Sequence, residues 1–101
     1  MSNERIVVEV ERDLEDLIPL FMEQRRKDRI AISRAVELKD MEALRAIGHG
    51  MAGGGRSYGF AVITEIGEAM ERAARAHDMV TLSNLQASFS DFMERVSVKY
   101  V

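Results

Sequence analysis

Four stretches of this chain carry apolar residues at helical spacing, and the connections between them are short. Together these constrain the fold more than any other feature. At about 100° per residue, the first stripe holds Leu14, Leu17, Ile18, Phe21, Ile32, Ala35 and Val36. Asp13 reads as its N-cap, with Glu15 and Asp16 in the first turn. Pro19 lies inside this stretch and predicts a break or kink near Ile18, with a longer helix to about Leu38. Asp40 reads as the cap of a second helix with Met41, Leu44, Ile47, Met51 and Tyr58 in phase. The third stripe is Phe60, Ile63, Ile66, Gly67, Met70 and Ala74. Asp78 caps a fourth with Leu82, Leu85, Phe89, Met93 and Val96. Connections as short as Lys39-Asp40 and His77-Asp78 force neighbouring helices to run antiparallel. The expected fold is therefore all-α, an up-down four-helix bundle over residues 13–101.

Residues 1–12 are expected to form an N-terminal arm, extended or helical. Its RIVVEV segment is β-branched and alternates weakly, but as a strand it has little to pair against. A chain of 101 residues supports one modest core and no second domain. A net charge of −3 with both signs interspersed argues against a nucleic-acid surface. The chain has no cysteine, which removes disulfides and thiolate metal sites. MSNERI lacks a signal pattern, and no apolar run approaches the roughly 20 residues of a membrane span. A cytoplasmic, monomeric protein that neither enters a membrane nor binds nucleic acid is the expectation.

One stretch conflicts with the helical composition. GHGMAGGGRSYGF, residues 48–60, holds six glycines and one histidine. Its GHGMAG portion matches GxGxxG, yet DMEALRAI before it is helical and nothing downstream alternates as strands, so a dinucleotide fingerprint lacks its context. No glycine is followed by Lys and then Ser or Thr, so a P-loop fails as well. A hinge would fit the propensity cost, roughly 1 kcal/mol per interior glycine. Yet the helical phase persists through it: Leu44, Ile47, Gly48, Met51, Gly55 and Tyr58 share one face. Glycines on that face let a neighbouring helix come close, whereas outward ones such as Gly50 and Gly53 let an external partner come close.

His49 points away from this face and shares its side of the helix with Arg45, Ala52 and Arg56. Two readings compete. The residue is either an ordinary exposed histidine or a nucleophilic imidazole beside guanidinium groups suited to phosphoryl oxygens. His77, at the end of the third helix, suits the negative helix C-terminus. No ExxH or HExxH pattern points to a metal. Glu71 and Arg75 form an i,i+4 pair of the kind common on helix surfaces.

The run DMEALRAIGHGMAGGGRSYGFAVITEIGEAMERAAR resembles the histidine phosphotransfer (HPt) domain of bacterial phosphorelays. In that comparison His49 falls on the phospho-accepting histidine and Met51 on the apolar position after it. Gly53, Gly54 and Gly55 fall on the glycine-and-small run, Tyr58-Gly59-Phe60 on its aromatic-Gly end, and Met70-Glu71 on the Leu-Glu-like pair. LIPLFMEQRRKD resembles the family's first long helix. The resemblance implies a phosphotransfer intermediate and not a free-standing kinase. His49 would take a phosphoryl group from a response-regulator phospho-aspartate and pass it to a receiver domain. It implies Arg75, Arg45, Arg56 and Glu71 as groups that stabilise the phosphoryl or orient the imidazole, and Gly50, Gly53 and Gly54 as close-approach glycines. The implied partners are a receiver domain and a hybrid sensor histidine kinase. No cofactor or metal of its own is implied, since Mg²⁺ comes with the receiver. One departure stands out: the lysine usual three residues after the histidine is Ala52 here. The alternative is therefore a bundle that docks on a receiver or kinase without accepting phosphate, and a third reading is a structural bundle unrelated to signalling.

Overall fold

A computed structural model describes residues 4–101. Strand β1 (Ile6–Val10) is followed by a 3-10 turn at Arg12–Leu14 and then by helix α1 (Ile18–Leu38). Helix α2 (Met41–Gly54) leads through a second 3-10 turn, Arg56–Tyr58, into α3 (Ala61–Arg75). Helix α4 (Met79–Arg95) passes directly into strand β2 (Val96–Tyr100). Each helix packs on the next, α2 on α3 most extensively, and α4 closes the ring against α1. The four-helix bundle expected from the stripes is present. Many of the anticipated residues form its core, with Ile32, Leu44, Met51, Ile63, Met70 and Leu82 fully buried; Met22, Ala73 and Phe92 join them from outside the stripes, while Leu17 of the first stripe is 47% exposed.

The junctions α1–α2 and α3–α4 repeat one device. Lys39 and His77 adopt left-handed backbone, φ 53° and 55°. The amide of the following aspartate then donates back to the preceding helix, Asp40 to Ala35 at 2.8 Å and Asp78 to Ala73 at 2.9 Å. Each aspartate also caps the next helix, accepting from Ala43 N–H and from Thr81 N–H. One residue thus closes one helix and opens another, which makes the reversal tight. His77 lies one residue past the α3 C-cap, Ala76, and not in the last helical turn. Its left-handed backbone is what the turn uses.

The start of α1 differs from expectation. Asp13 lies in the 3-10 turn and caps nothing, while Leu17 is the N-cap and Pro19 sits in the first turn. Proline is tolerated there because the amide it lacks has no intrahelical acceptor. The break expected near Ile18 is thus the helix start.

The larger correction concerns the termini. The N-terminal segment does find a partner: β1 pairs in parallel with β2, Ile6 opposite Val96 through Val10 opposite Tyr100. Val96, placed above in the fourth helical stripe, is the first residue of β2, and VSVKY alternates as a strand instead of continuing the helix. Of the expected arm, residues 1–3 lie outside the described residues. Val10 is buried, and Ile6, Val8, Val96, Val98 and Tyr100 pack on the helical core. That apolar backing sustains a two-stranded sheet that would be marginal alone. Polar ties reinforce it: Arg5 donates to the Glu94 carbonyl and Arg95 to the Glu4 carbonyl, both at 2.9 Å.

Candidate functional site

Gly48 and Gly67 bring α2 and α3 together. A Cβ on Gly48 would lie 2.7 Å from the Gly67 carbonyl oxygen, and one on Gly67 would lie 2.6 Å from that of Gly48. Neither methyl fits, so the helices meet backbone to backbone. Glu71, one turn beyond Gly67, is thereby delivered to the flank of His49, the residue after Gly48.

His49 stands on the outer rim of this crossing, within α2, its side chain 74% exposed. Its Nδ1 lies 3.3 Å from Oε2 of Glu71, whose side chain is only 16% exposed. The same carboxylate oxygen accepts from the Arg75 guanidinium at 3.0 Å. Arg45 is held by the Glu42 carboxylate on its own helix. The hydrogen bond to Glu42, with a smaller contribution from Glu71, raises the Arg45 guanidinium above its ordinary value. Gly50 and Gly53 have open space where a side chain would stand.

Three of the anticipated groups thus converge: His49, Glu71 and Arg75 touch in sequence. Arg45 joins them only through the field of Glu71. Arg56 stands apart, because α2 ends at Gly54 and the phase that aligned Arg56 with His49 ends with it. What Arg56 contributes is its backbone N–H, which donates to buried Thr64 Oγ1 at 2.7 Å. Thr64 therefore ties the end of α2 to α3, a role no local pattern announced. Tyr58, placed above in the second helix, lies in the 3-10 turn and meets Phe21 at 4.9 Å between ring centroids. Gly54 also faces inward, toward the Phe21 ring at 3.7 Å, and not toward solvent.

The arrangement offers an exposed imidazole with one nitrogen against a shielded carboxylate and the other unengaged, on a surface stripped of side chains. Among the described residues no cluster of three His, Asp or Glu groups is placed to hold a metal ion.

The Hpt domain family matches residues 7–98. The chain belongs to the Hpt family. The match takes in all of β1 but Ile6, and all four helices. Hpt domains are phosphotransfer modules of phosphorelays and interact with receiver domains. No curated protein and no solved structure matches the chain. No helix among the described residues is long and apolar enough to cross a membrane.

Proposed function

We propose that His49 is the phospho-acceptor of this Hpt domain, taking the phosphoryl group from a receiver phospho-aspartate and returning it to a receiver. The observation that carries this reading is the pairing of an exposed imidazole with the Glu71 carboxylate at 3.3 Å from Nδ1. A carboxylate beside Nδ1 favours the tautomer with hydrogen there and leaves the lone pair on Nε2. That lone pair attacks phosphorus as the bond to the aspartyl oxygen breaks, and the aspartate leaves with the bonding electrons. The ring keeps the Nδ1 proton and becomes cationic, and Glu71 stabilises that charge. Phosphoryl transfer depends on positioning and charge stabilisation, so this face need only present the nucleophile. The receiver contributes Mg²⁺, which neutralises charge on the transferring group. The outward glycines Gly50 and Gly53 let the receiver surface approach the helix backbone.

The test is incubation with a panel of phosphorylated receiver domains, a hybrid sensor kinase's receiver among them. Acid-labile label should appear on the wild-type chain and not on His49→Gln. Label retained in that variant would place the acceptor elsewhere.

A second reading rests on Ala52. Ala52 puts no ammonium one turn after His49, and Arg45 and Arg75 are already bound to Glu42 and Glu71. On this reading the domain docks on a receiver without accepting phosphate. Binding to receivers with no transfer from any of them would favour it.

A further inference from the structure

The ring order of the helices places the α1–α4 groove on the opposite side of the bundle from the α2–α3 seam that carries His49. This open groove has a volume of about 800 Å³ and is lined on the α1 side by Arg26, Arg29, Ile30, Ser33 and Arg34, with one acidic residue, Glu37, beyond Arg34. Gln86 and Ser90 line it from α4. Arg26, Ile30 and Arg34 are spaced four residues apart, so they form one row along the helix, with about 12 Å between the two arginine positions. Ile30, between them, is 73% exposed. Arg29 is paired with Glu94 at 2.6 Å. Among the described residues, Arg26 and Arg34 have neither an ion pair nor a side-chain hydrogen bond. A chain with a net charge of −3 thus presents two unpaired guanidinium groups flanking an exposed isoleucine in a concave site.

We propose that the α1–α4 groove binds an acidic helical segment of a partner protein while His49 remains free for a receiver. Two unpaired guanidinium groups against the single lining carboxylate of Glu37 leave the groove positive, which selects an acidic occupant. Two carboxylates two turns apart match Arg26 and Arg34, and guanidinium groups bind carboxylates bidentately. An apolar side chain midway on the partner covers Ile30, and Gln86 and Ser90 offer polar contacts at the far wall. Binding here would tether the domain to its partner without occupying the phosphotransfer face.

The test uses the whole chain, ¹⁵N-labelled, and an alanine-based helical peptide of about 20 residues, long enough to hold a helix. The peptide carries two Glu residues eight apart with Leu midway; a control has Gln in place of Glu. Vesicles of phosphatidylglycerol and inorganic phosphate serve as competing probes. The expected result is saturable amide shifts at Ile30, Ser33, Gln86 and Ser90, weakened about tenfold by the Gln control or by Arg26→Glu with Arg34→Glu. Affinity should also fall with added salt. The paired substitution should leave both the unfolding midpoint and label transfer to His49 unchanged. Shifts that map elsewhere, or equal affinity for the Gln peptide, would overturn the proposal. Binding of vesicles without peptide would replace it with a membrane contact, and binding of phosphate alone would reduce it to an adventitious ion only.

Discussion

Gly48 and Gly67 occupy each other's side-chain space, with 2.7 Å and 2.6 Å where two methyl groups would need to stand. Those contacts are with backbone oxygens, which cannot swing aside as the end of a flexible side chain can. The helix spacing set here also sets the distance from His49 to Glu71.

Gly48→Ala and Gly67→Ala are each expected to lower stability by about 1–3 kcal/mol, the range for overpacking, despite alanine's better helix propensity. Gly50→Ala meets open space and should raise stability by up to about 1 kcal/mol. Urea unfolding measures both. The same substitution type should thus change sign two residues apart in one helix, and a stabilising Gly48→Ala would refute the crossing.

Glu71 is expected to act by positioning the imidazole. Glu71→Ala should slow phosphoryl transfer to His49 about tenfold, equivalent to ~1.4 kcal/mol in the barrier. Glu71→Gln, which keeps an acceptor near Nδ1 but not the negative charge that stabilises the cationic ring, should restore part of the rate. Single-turnover transfer from a phosphorylated receiver, followed alongside the imidazole tautomer by ¹⁵N NMR, separates this role from a loss of fold.

Ala52→Lys is expected to speed transfer by adding an ammonium one turn from His49, while Arg75→Ala should slow it about tenfold. If the wild-type chain accepts no phosphate and Ala52→Lys alone confers acceptance, the docking reading is the correct one.

His77→Gly should stabilise the protein by about 0.5–1 kcal/mol. The left-handed conformation costs a non-glycine residue roughly 1–2 kcal/mol, and glycine's greater unfolded-state entropy offsets part of that gain. A fall in the thermal midpoint would show that the His77 side chain contributes more than its backbone costs.

Two carboxylates should respond oppositely to pH. Burial raises the Asp28 carboxyl above its ordinary value, with Arg25 and Gln24 opposing. A raised folded pKa stabilises fully below the unfolded value and loses that contribution as pH rises through the folded one. Asp78 is lowered by its hydrogen bonds from Thr81, so its contribution is present above the unfolded value and lost as pH falls through the folded one. The cost of Asp28→Asn should therefore be greater near about pH 3 than at neutrality, and that of Asp78→Asn smaller. Unfolding measured across this range checks both signs.

The helices were legible because each stripe is local: Leu44, Ile47 and Met51 reveal a face without any partner being known. Asp40 and Asp78 announced their caps for the same reason, since a cap bonds an amide three residues on. His49 was recognisable by the glycines around it, a local breach of helix propensity at a position that kept helical phase. The sheet was not legible, because a parallel pair joins opposite ends of the chain and neither RIVVEV nor VSVKY records the other. Only the assembled bundle brings the two strands side by side and gives their apolar faces a surface to cover. The same holds for Gly67 against Gly48 and for Thr64 beneath Arg56; Glu71 was already a candidate to orient the imidazole, and packing set its distance from Nδ1 of His49. A sequence states which face of each helix is apolar or bare; which faces meet, and at what distance, is decided by packing across the bundle.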